Sequence, residues 1–240
     1  MKLFNWTNIR LILMFSLVIF LFSFTSNRNI NRKLSKSVVI FVGDNAHFVN
    51  QETVNKLLIE NNKDAKSIGK DKLDLNRLEK KLNAQEMIEK SDVFVSIDGV
   101  LKAVVKQKTP IARVFDGDNS FYIDYKGNTM PLSANFTARV PLISGEINKK
   151  NSEKLAELFR IIYDDAFLKK NIIGVQIMPN GSLKMLNRNY NYQIDFGGTV
   201  RMKAKFNNYK AFFQKAVLDS SLNKYKTIDL RFAQQVVCTK

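Results

Sequence analysis

Residues 11–24 are apolar except for Ser16 and Ser23. A helix over these 14 residues is roughly 21 Å long at about 1.5 Å per residue, short of the ~30 Å hydrocarbon core of a bilayer. Extension from Trp6 to Ser26 reaches the needed length. Leu11 and Phe24 then lie near the two ends of the span, Arg10 snorkels to the interface and Trp6 sits at headgroup depth. The pattern favours a single membrane anchor. A cleaved signal peptide calls for a small-residue cleavage site, which residues 22–26 match poorly. A core helix of a soluble protein would show a polar face, and this one has none.

Residues 27–36 are polar and basic, without periodicity, and read as a linker. From Ser37 the pattern changes. Residues 38–42 form a short apolar run ended by Gly43, Asp44 and Asn45, which reads as a strand and a turn. Val54, Leu57 and Leu58 stand at helical spacing in residues 51–61. Asp74 is placed to cap a second helix with Leu75, Leu78 and Leu82 on one stripe. Residues 93–97 and 100–105 are β-rich and flank Asp98-Gly99, a dipeptide suited to a type I′ hairpin turn with positive φ at both central positions. The predicted order is strand, helix, helix, strand, strand, an α+β unit with two helices on a three-stranded sheet.

The second half is richer in hairpins. Residues 121–125 and 129–132 flank Lys126-Gly127-Asn128, and residues 172–178 and 182–186 flank Pro179-Asn180-Gly181. A helix is predicted over residues 153–170, with Leu155, Leu158, Phe159, Ile162 and Ala166 on one face and Lys169 and Lys170 at its C-terminal end. Residues 190–196 read as a strand closed by Gly197-Gly198. Residues 207–222 read as a helix turning Tyr209, Phe212, Phe213, Ala216 and Val217 inward. Residues 227–232 alternate, with Ile228, Leu230 and Phe232 on one face and Asp229 and Arg231 on the other. Val236, Val237 and Cys238 make a last short strand. The second unit is therefore a mostly antiparallel sheet backed by two helices.

Composition narrows the function. The 240 residues include 38 Lys and Arg against 22 Asp and Glu, a net charge of +16. That excess suggests an anionic partner without choosing one. The apolar share of 45% excludes a disordered tail. A single Cys excludes an internal disulfide or a multi-Cys metal site. The one His, His47, falls in a turn context. Cys238 lies in an apolar strand with no His nearby in sequence to activate it, and reads as a buried thiol. Asp195-Phe196-Gly197 spells a kinase triplet without the other kinase sequences, and reads as a strand end and turn. Asp164 and Asp165 read as a solvated helix surface. No phosphate loop, dinucleotide fingerprint or metal-ligand spacing appears. Basic residues are scattered, and most aromatics fall on core stripes, which argues against nucleic-acid binding.

These elements in this order resemble the FtsQ/DivIB bacterial cell-division proteins. Residues 38–43 followed by Val49, Val54 and Leu57 resemble the opening of a POTRA domain. Residues 106–113, with Pro110 before Ile111 and Ala112, are similar to the family's junction segment. Tyr122-Ile123-Asp124 through Gly127-Asn128-Thr129-Met130-Pro131-Leu132 is similar to its first β-domain hairpin. Ile228-Asp229-Leu230-Arg231-Phe232 is similar to its terminal strand. Two departures stand out: Asn83-Ala84-Gln85-Glu86 replaces a frequent Pro before the second POTRA strand, and the N-terminal tail is very short.

The resemblance implies an α+β protein with a cytoplasmic tail at residues 1–8, a transmembrane helix at 9–26, a linker at 27–36, a POTRA domain at 37–112 and an FtsQ-type β domain at 113–240. It implies a non-enzymatic divisome scaffold in the inner membrane. The C-terminal domains would lie outside, at the septum, and bind FtsB and FtsL. It implies no cofactor, metal, nucleic acid or small-molecule substrate. The family's FtsB adds a strand to the last strand of the β domain. The candidate partner-binding residues are therefore Arg231, Phe232, Gln234, Gln235, Val236 and Val237, with Ile228 and Leu230 assigned to the core. Charge alone does not orient the anchor, because Lys2 and Arg10 precede it while Arg28, Arg32, Lys33 and Lys36 follow. A second reading is a POTRA-type adaptor in secretion or outer-membrane assembly. A third is an envelope hydrolase or transferase working through acidic residues.

Overall fold

The computed structural model describes residues 6–30, 33–43, 48–59, 68–69, 73–117, 119–232 and 234–240. His47, the Asp44-Asn45 turn, Lys2 and Arg32 lie outside the described residues. The chain divides into two compact units, Met1–Asn45 with Val49–Gln107, and Ala46–Phe48 with Lys108–Lys240.

The first unit opens with α1 (Trp6–Ile30). Trp6–Arg28, 23 residues, is long and apolar enough to cross a membrane, and none of its most apolar stretch is buried. Trp6, Leu11 and Phe24 are all exposed, as is Arg10. The helix continues four residues past the expected end at Ser26. The segment expected as a linker is instead folded from Lys33 onward. Lys33 bridges to Gly69, the Leu34 N–H donates to Ile68 O at 3.1 Å and the Ser35 N–H to Gly99 O at 2.8 Å. Leu34 is only 2% exposed. A lone aliphatic residue in a polar run carries no periodic signal, which is why pattern reading passes over it.

Next come β1 (Lys36–Val42), α2 (Gln51–Ile59), α3 (Leu75–Asn83), β2 (Ile88–Val95) and β3 (Val100–Gln107), the expected order. The sheet order is β1-β3-β2, with β1 parallel and β2 antiparallel to β3. Val39, Val93, Leu101, Ala103 and Val105 alternate along the strands toward Val54, Leu58, Leu78 and Leu82 on the helices. Asp74 caps α3, accepting from the Arg77 N–H at 3.0 Å.

The Asp98-Gly99 turn is not type I′. Gly99 alone has positive φ, +80°. The Gly99 N–H donates to Ser96 O and the Ser96 N–H to Val100 O. That is a type I turn closed by a left-handed glycine, which twists the hairpin through a bulge. The same pattern recurs at Gly127, bonded to Asp124 O, and at Gly181, bonded to Met178 O.

The second unit holds β4 (Pro110–Asp116), β5 (Asn119–Asp124), β6 (Thr129–Met130), β7 (Leu142–Ser144), α4 (Ser152–Asp164), α5 (Ala166–Asn171), β8 (Ile172–Ile177), β9 (Leu183–Asn187), β10 (Gln193–Gly197), α6 (Met202–Leu218), a 3₁₀ turn (Leu222–Lys224), β11 (Thr227–Asp229) and β12 (Val237–Thr239). The sheet order is β12-β11-β10-β9-β8-β7-β4-β5-β6. One ladder row crosses it from β4 to β12: Val114, Ile143, Val175, Met185, Ile194, Ile228 and Cys238. All but Cys238 are buried, and they pack with Leu155, Leu158, Phe159 and Ile162 of α4 and Phe206 and Tyr209 of α6. Asn187, Tyr192 and Tyr209 pair their polar groups within this core. Asn187 Nδ2 donates to Tyr209 Oη at 2.9 Å, and the Tyr192 and Tyr209 hydroxyls lie 2.8 Å apart. Burial pushes the Tyr192 hydroxyl well above its ordinary pKa and raises that of Tyr209.

The junction segment from Pro110 forms a strand, β4. Two expectations change here. Helix α6 starts five residues earlier than expected, and Val217 is 45% exposed rather than inward. The helix expected over residues 153–170 breaks at Asp165, whose extended backbone (φ −101°, ψ 115°) ends α4 and caps α5. Ala166 is consequently exposed. Asp164 and Asp165 also have different roles. Asp164 accepts from Tyr125 Oη at 2.9 Å, while Asp165 accepts from the Leu168 N–H at 3.0 Å and pairs with Lys210.

Burial works against the charged Asp165 carboxylate, but Lys210 and the Leu168 N–H outweigh it and lower the pKa. Asp165→Ala should therefore cost about 1 kcal/mol, or roughly 2–4 °C in Tm. A carboxylate with a lowered folded pKa stabilises above its unfolded pKa, and that increment fades as pH falls through the folded value. Thermal unfolding of wild type and variant should therefore converge in acid. A gap unchanged from pH 7 to pH 2 would contradict this.

Candidate functional site

The C-terminal end of the large sheet brings charged groups together on the face opposite the helices. Strand alternation sets this. Ile194, Phe196 and Ile228 point into the core, so Asp195 and Asp229 take the other side. Lys184, Asp195, Asp229 and Val237 form one ladder row across β9, β10, β11 and β12. Among the described strands, β12 has a neighbour on one side only.

Strand β11 stops at Asp229. The Leu230 N–H still donates to Asp195 O at 2.9 Å, and Leu230 is buried. Beyond it the alternation ends, so Phe232 leaves the face it was expected to share with Ile228 and Leu230 and is 46% exposed. Arg231 folds back on Asp229. Its backbone N–H donates to Asp229 Oδ1 at 2.9 Å, and Nε donates to the two carboxylate oxygens at 2.9 and 3.0 Å. The guanidinium hydrogen bond and charge hold the Asp229 carboxyl below the usual carboxylate range. The Arg231 stem crosses Gly197 (φ +72°), where a Cβ would sit 2.7 Å from Arg231 Cγ.

A cleft of about 820 Å³ opens beside this pair, lined by Asn180, Lys184, Asp195, Gly197, Lys205 and Arg231 among others. Lys205 is 8% exposed. Its Nζ donates to the Phe196 and Gly198 carbonyls, each at 2.8 Å, and so fixes the turn that carries Gly197. Burial pushes the Lys205 ammonium pKa down, Arg201 adds to this, and Asp229 opposes it. Asp195 Oδ1 is buried, with no hydrogen-bond partner among the described residues. Lys184 Nζ stands 4.0 Å from it. The site thus offers an open strand edge, a pre-set arginine and a buried acceptor in want of a donor.

A family model described as FtsQ/DivIB, C-terminal related, matches residues 109–239. The chain belongs to that family. Its role is in cell division, and α1 supplies the length and composition of a single membrane span. No curated protein matches the chain. Among solved structures, it is similar to the major extracytoplasmic domain of the trans isomer of the bacterial cell division protein DivIB from Geobacillus stearothermophilus. The identity is 13%, the TM-score 0.32, and the match covers 47% of this chain and 95% of that one. The family assignment rests on the family match.

In this FtsQ/DivIB-related chain the six candidate residues fall around β12. Arg231, Phe232, Gln234, Gln235 and Val237 are exposed, and Val236 packs against the core. The last strand is Val237–Thr239, so Gln234, Gln235 and Val236 belong to the approach rather than to the strand. Cys238 is partly buried, and burial raises its thiol pKa. Sequence reading took Gly197 only as a turn residue and did not single out Lys184 or Lys205. The period-two pattern of Ile194, Asp195 and Phe196 held the available signal, since it turns Asp195 outward beside Asp229.

Proposed function

We propose that this protein is a non-enzymatic divisome scaffold that binds FtsB- and FtsL-like division proteins and links early division components to septal peptidoglycan synthesis. It sits in the inner membrane with its N-terminus in the cytoplasm and its two C-terminal units outside, at the septum. Residues 37–112 serve as a POTRA domain and residues 113–240 as the partner-binding β domain. One partner strand adds beside β12.

The observation that carries this reading is the terminal place of β12 in the sheet order. An unpaired strand edge is a template for another chain, and main-chain bonds to it give affinity while alternating side chains set register. Val237 and Thr239 of β12 are exposed and would meet alternate residues of the added strand. Phe232 supplies an aromatic anchor, and the Asp195 acceptor can take a donor from the same segment.

The test is depletion of the protein followed by complementation. Depleted cells should fail to divide and grow as filaments, and the full chain should restore septa. A chain lacking residues 237–240 should fold, checked by circular dichroism, but no longer co-purify an FtsB-like protein. Normal septation on depletion would sink the proposal. Recovery of secretion or outer-membrane barrel proteins instead would favour the adaptor reading.

A further inference from the structure

The β2–β3 turn of the first unit carries a feature that partner binding at β12 does not use. Ile97, at its tip, is 92% exposed. No large apolar side chain among the described residues is more exposed. Short-range bonds fix the turn to the segment that follows α1. The Ser35 N–H donates to Gly99 O at 2.8 Å, and a Cβ on Gly99 would lie 3.4 Å from Lys33 O.

Helix α1 ends at Ile30, three residues before Lys33. Three residues of extended chain reach at most about 11 Å. The turn is therefore tethered within a short chain length of the end of the candidate span. Lys36 and Lys102 act on Asp98, the one acid on the turn itself, and Lys33 adjoins the turn through its backbone at Gly99. Asp98 stays charged beside them: its own hydrogen bonds to Ser96 and to the backbone, then Lys102 and Lys36, lower its pKa. Phe94, 44% exposed, is the cross-strand partner of Lys102, two residues back from Ser96 on the same hairpin.

We infer that the β2–β3 turn docks on the surface of an anionic bilayer, with Ile97 entering the headgroup–acyl boundary and Lys33, Lys36 and Lys102 pairing with lipid phosphates. An apolar tip ringed by lysines is the chemistry of interfacial membrane contact. Such a contact would restrict the angle at which the first unit leaves the membrane. The occupant is lipid rather than protein because the tether places a bilayer there without any further partner.

The test uses the full chain reconstituted in vesicles of phosphatidylcholine with or without phosphatidylglycerol. In a Cys238→Ser background, Ile97→Cys carries an environment-sensitive fluorophore. Leu218→Cys, 85% exposed and in the second unit, is the reference. The label at 97 should shift to the blue in vesicles, lose intensity with shallow doxyl-lipid quenchers, and do both more strongly with phosphatidylglycerol present. The label at 218 should do neither. Water-like emission at 97 in both vesicle types overturns the proposal, as does protection that appears only when another protein is added. Equal quenching with and without the anionic lipid overturns the role given to the lysines. Co-flotation of the chain with the vesicles confirms in each case that α1 is inserted.

Discussion

Gly145→Ala is expected to destabilise the second unit by about 3 kcal/mol or more, and Tm by roughly 6–12 °C. Two causes add. Gly145 has φ +100°, a conformation in which a side chain is strained. Its missing Cβ also makes room for a neighbour: an alanine Cβ would lie 2.3 Å from Ile177 O and 2.9 Å from Ile177 Cβ. Gly145 directly follows β7, and Ile177 ends β8, which pairs with β7 in parallel. The clash is with backbone, so relief requires these strands to separate at the middle of the sheet. Gly181→Ala is the control. It shares positive φ, +78°, but nothing lies within 4 Å of the added Cβ, so only the conformational cost of about 1 kcal/mol remains. Thermal unfolding of both variants separates the causes. Equal losses would show that the close approach to Ile177 is unimportant.

Much of this fold is legible in the sequence because burial imposes period. The β-α-α-β-β order, the Asp74 cap and the apolar anchor each follow from alternation, helical spacing or a capping residue. The failures share a different origin. Asp98-Gly99 shows that a turn dipeptide fixes the place of a hairpin but not its type; whether one or both residues take positive φ depends on how the hairpin closes, here through a bulge shared with Gly127 and Gly181. Asp165 shows that apolar spacing on both sides of a break can mimic one helix, since an N-cap in mid-pattern is visible only when its acceptor role is. Leu34 shows that one buried residue has no period.

At the candidate site, the open edge of β12 is consistent with a C-terminal strand, and the core roles of Ile228 and Leu230 follow from their alternation. The approach of Arg231 to Asp229 over Gly197, by contrast, depends on where β11 stops. That end is set by tertiary packing and not by any run in residues 227–232.

That same approach yields the second large effect. Arg231→Glu should weaken binding of the FtsB-like partner by more than about thirty-fold, the loss typical of an interface hot spot. The guanidinium has five donors in a fixed fork, and Asp229 engages only the Nε side and one Nη2 contact. The Arg231 side chain remains 60% exposed, so a partner carboxylate can meet a group already held in place, with less freedom to lose on binding. Glutamate would set a second negative charge beside Asp229 and repel an acidic partner. The fold should persist, because Ile228 and Leu230 hold β11 in the core. Arg231→Lys keeps the charge without the fork and should fall between wild type and Glu. Gly197→Ala keeps the arginine but fills the space under its stem, so it should also weaken binding. Phe232→Ala should reduce binding with little change in Tm. Affinities measured on folded protein decide the matter. Wild-type affinity in both Arg231→Glu and Phe232→Ala would remove this end of the sheet from the interface, whereas loss in Arg231→Glu with full retention in Gly197→Ala would mean that the charge acts without its placement.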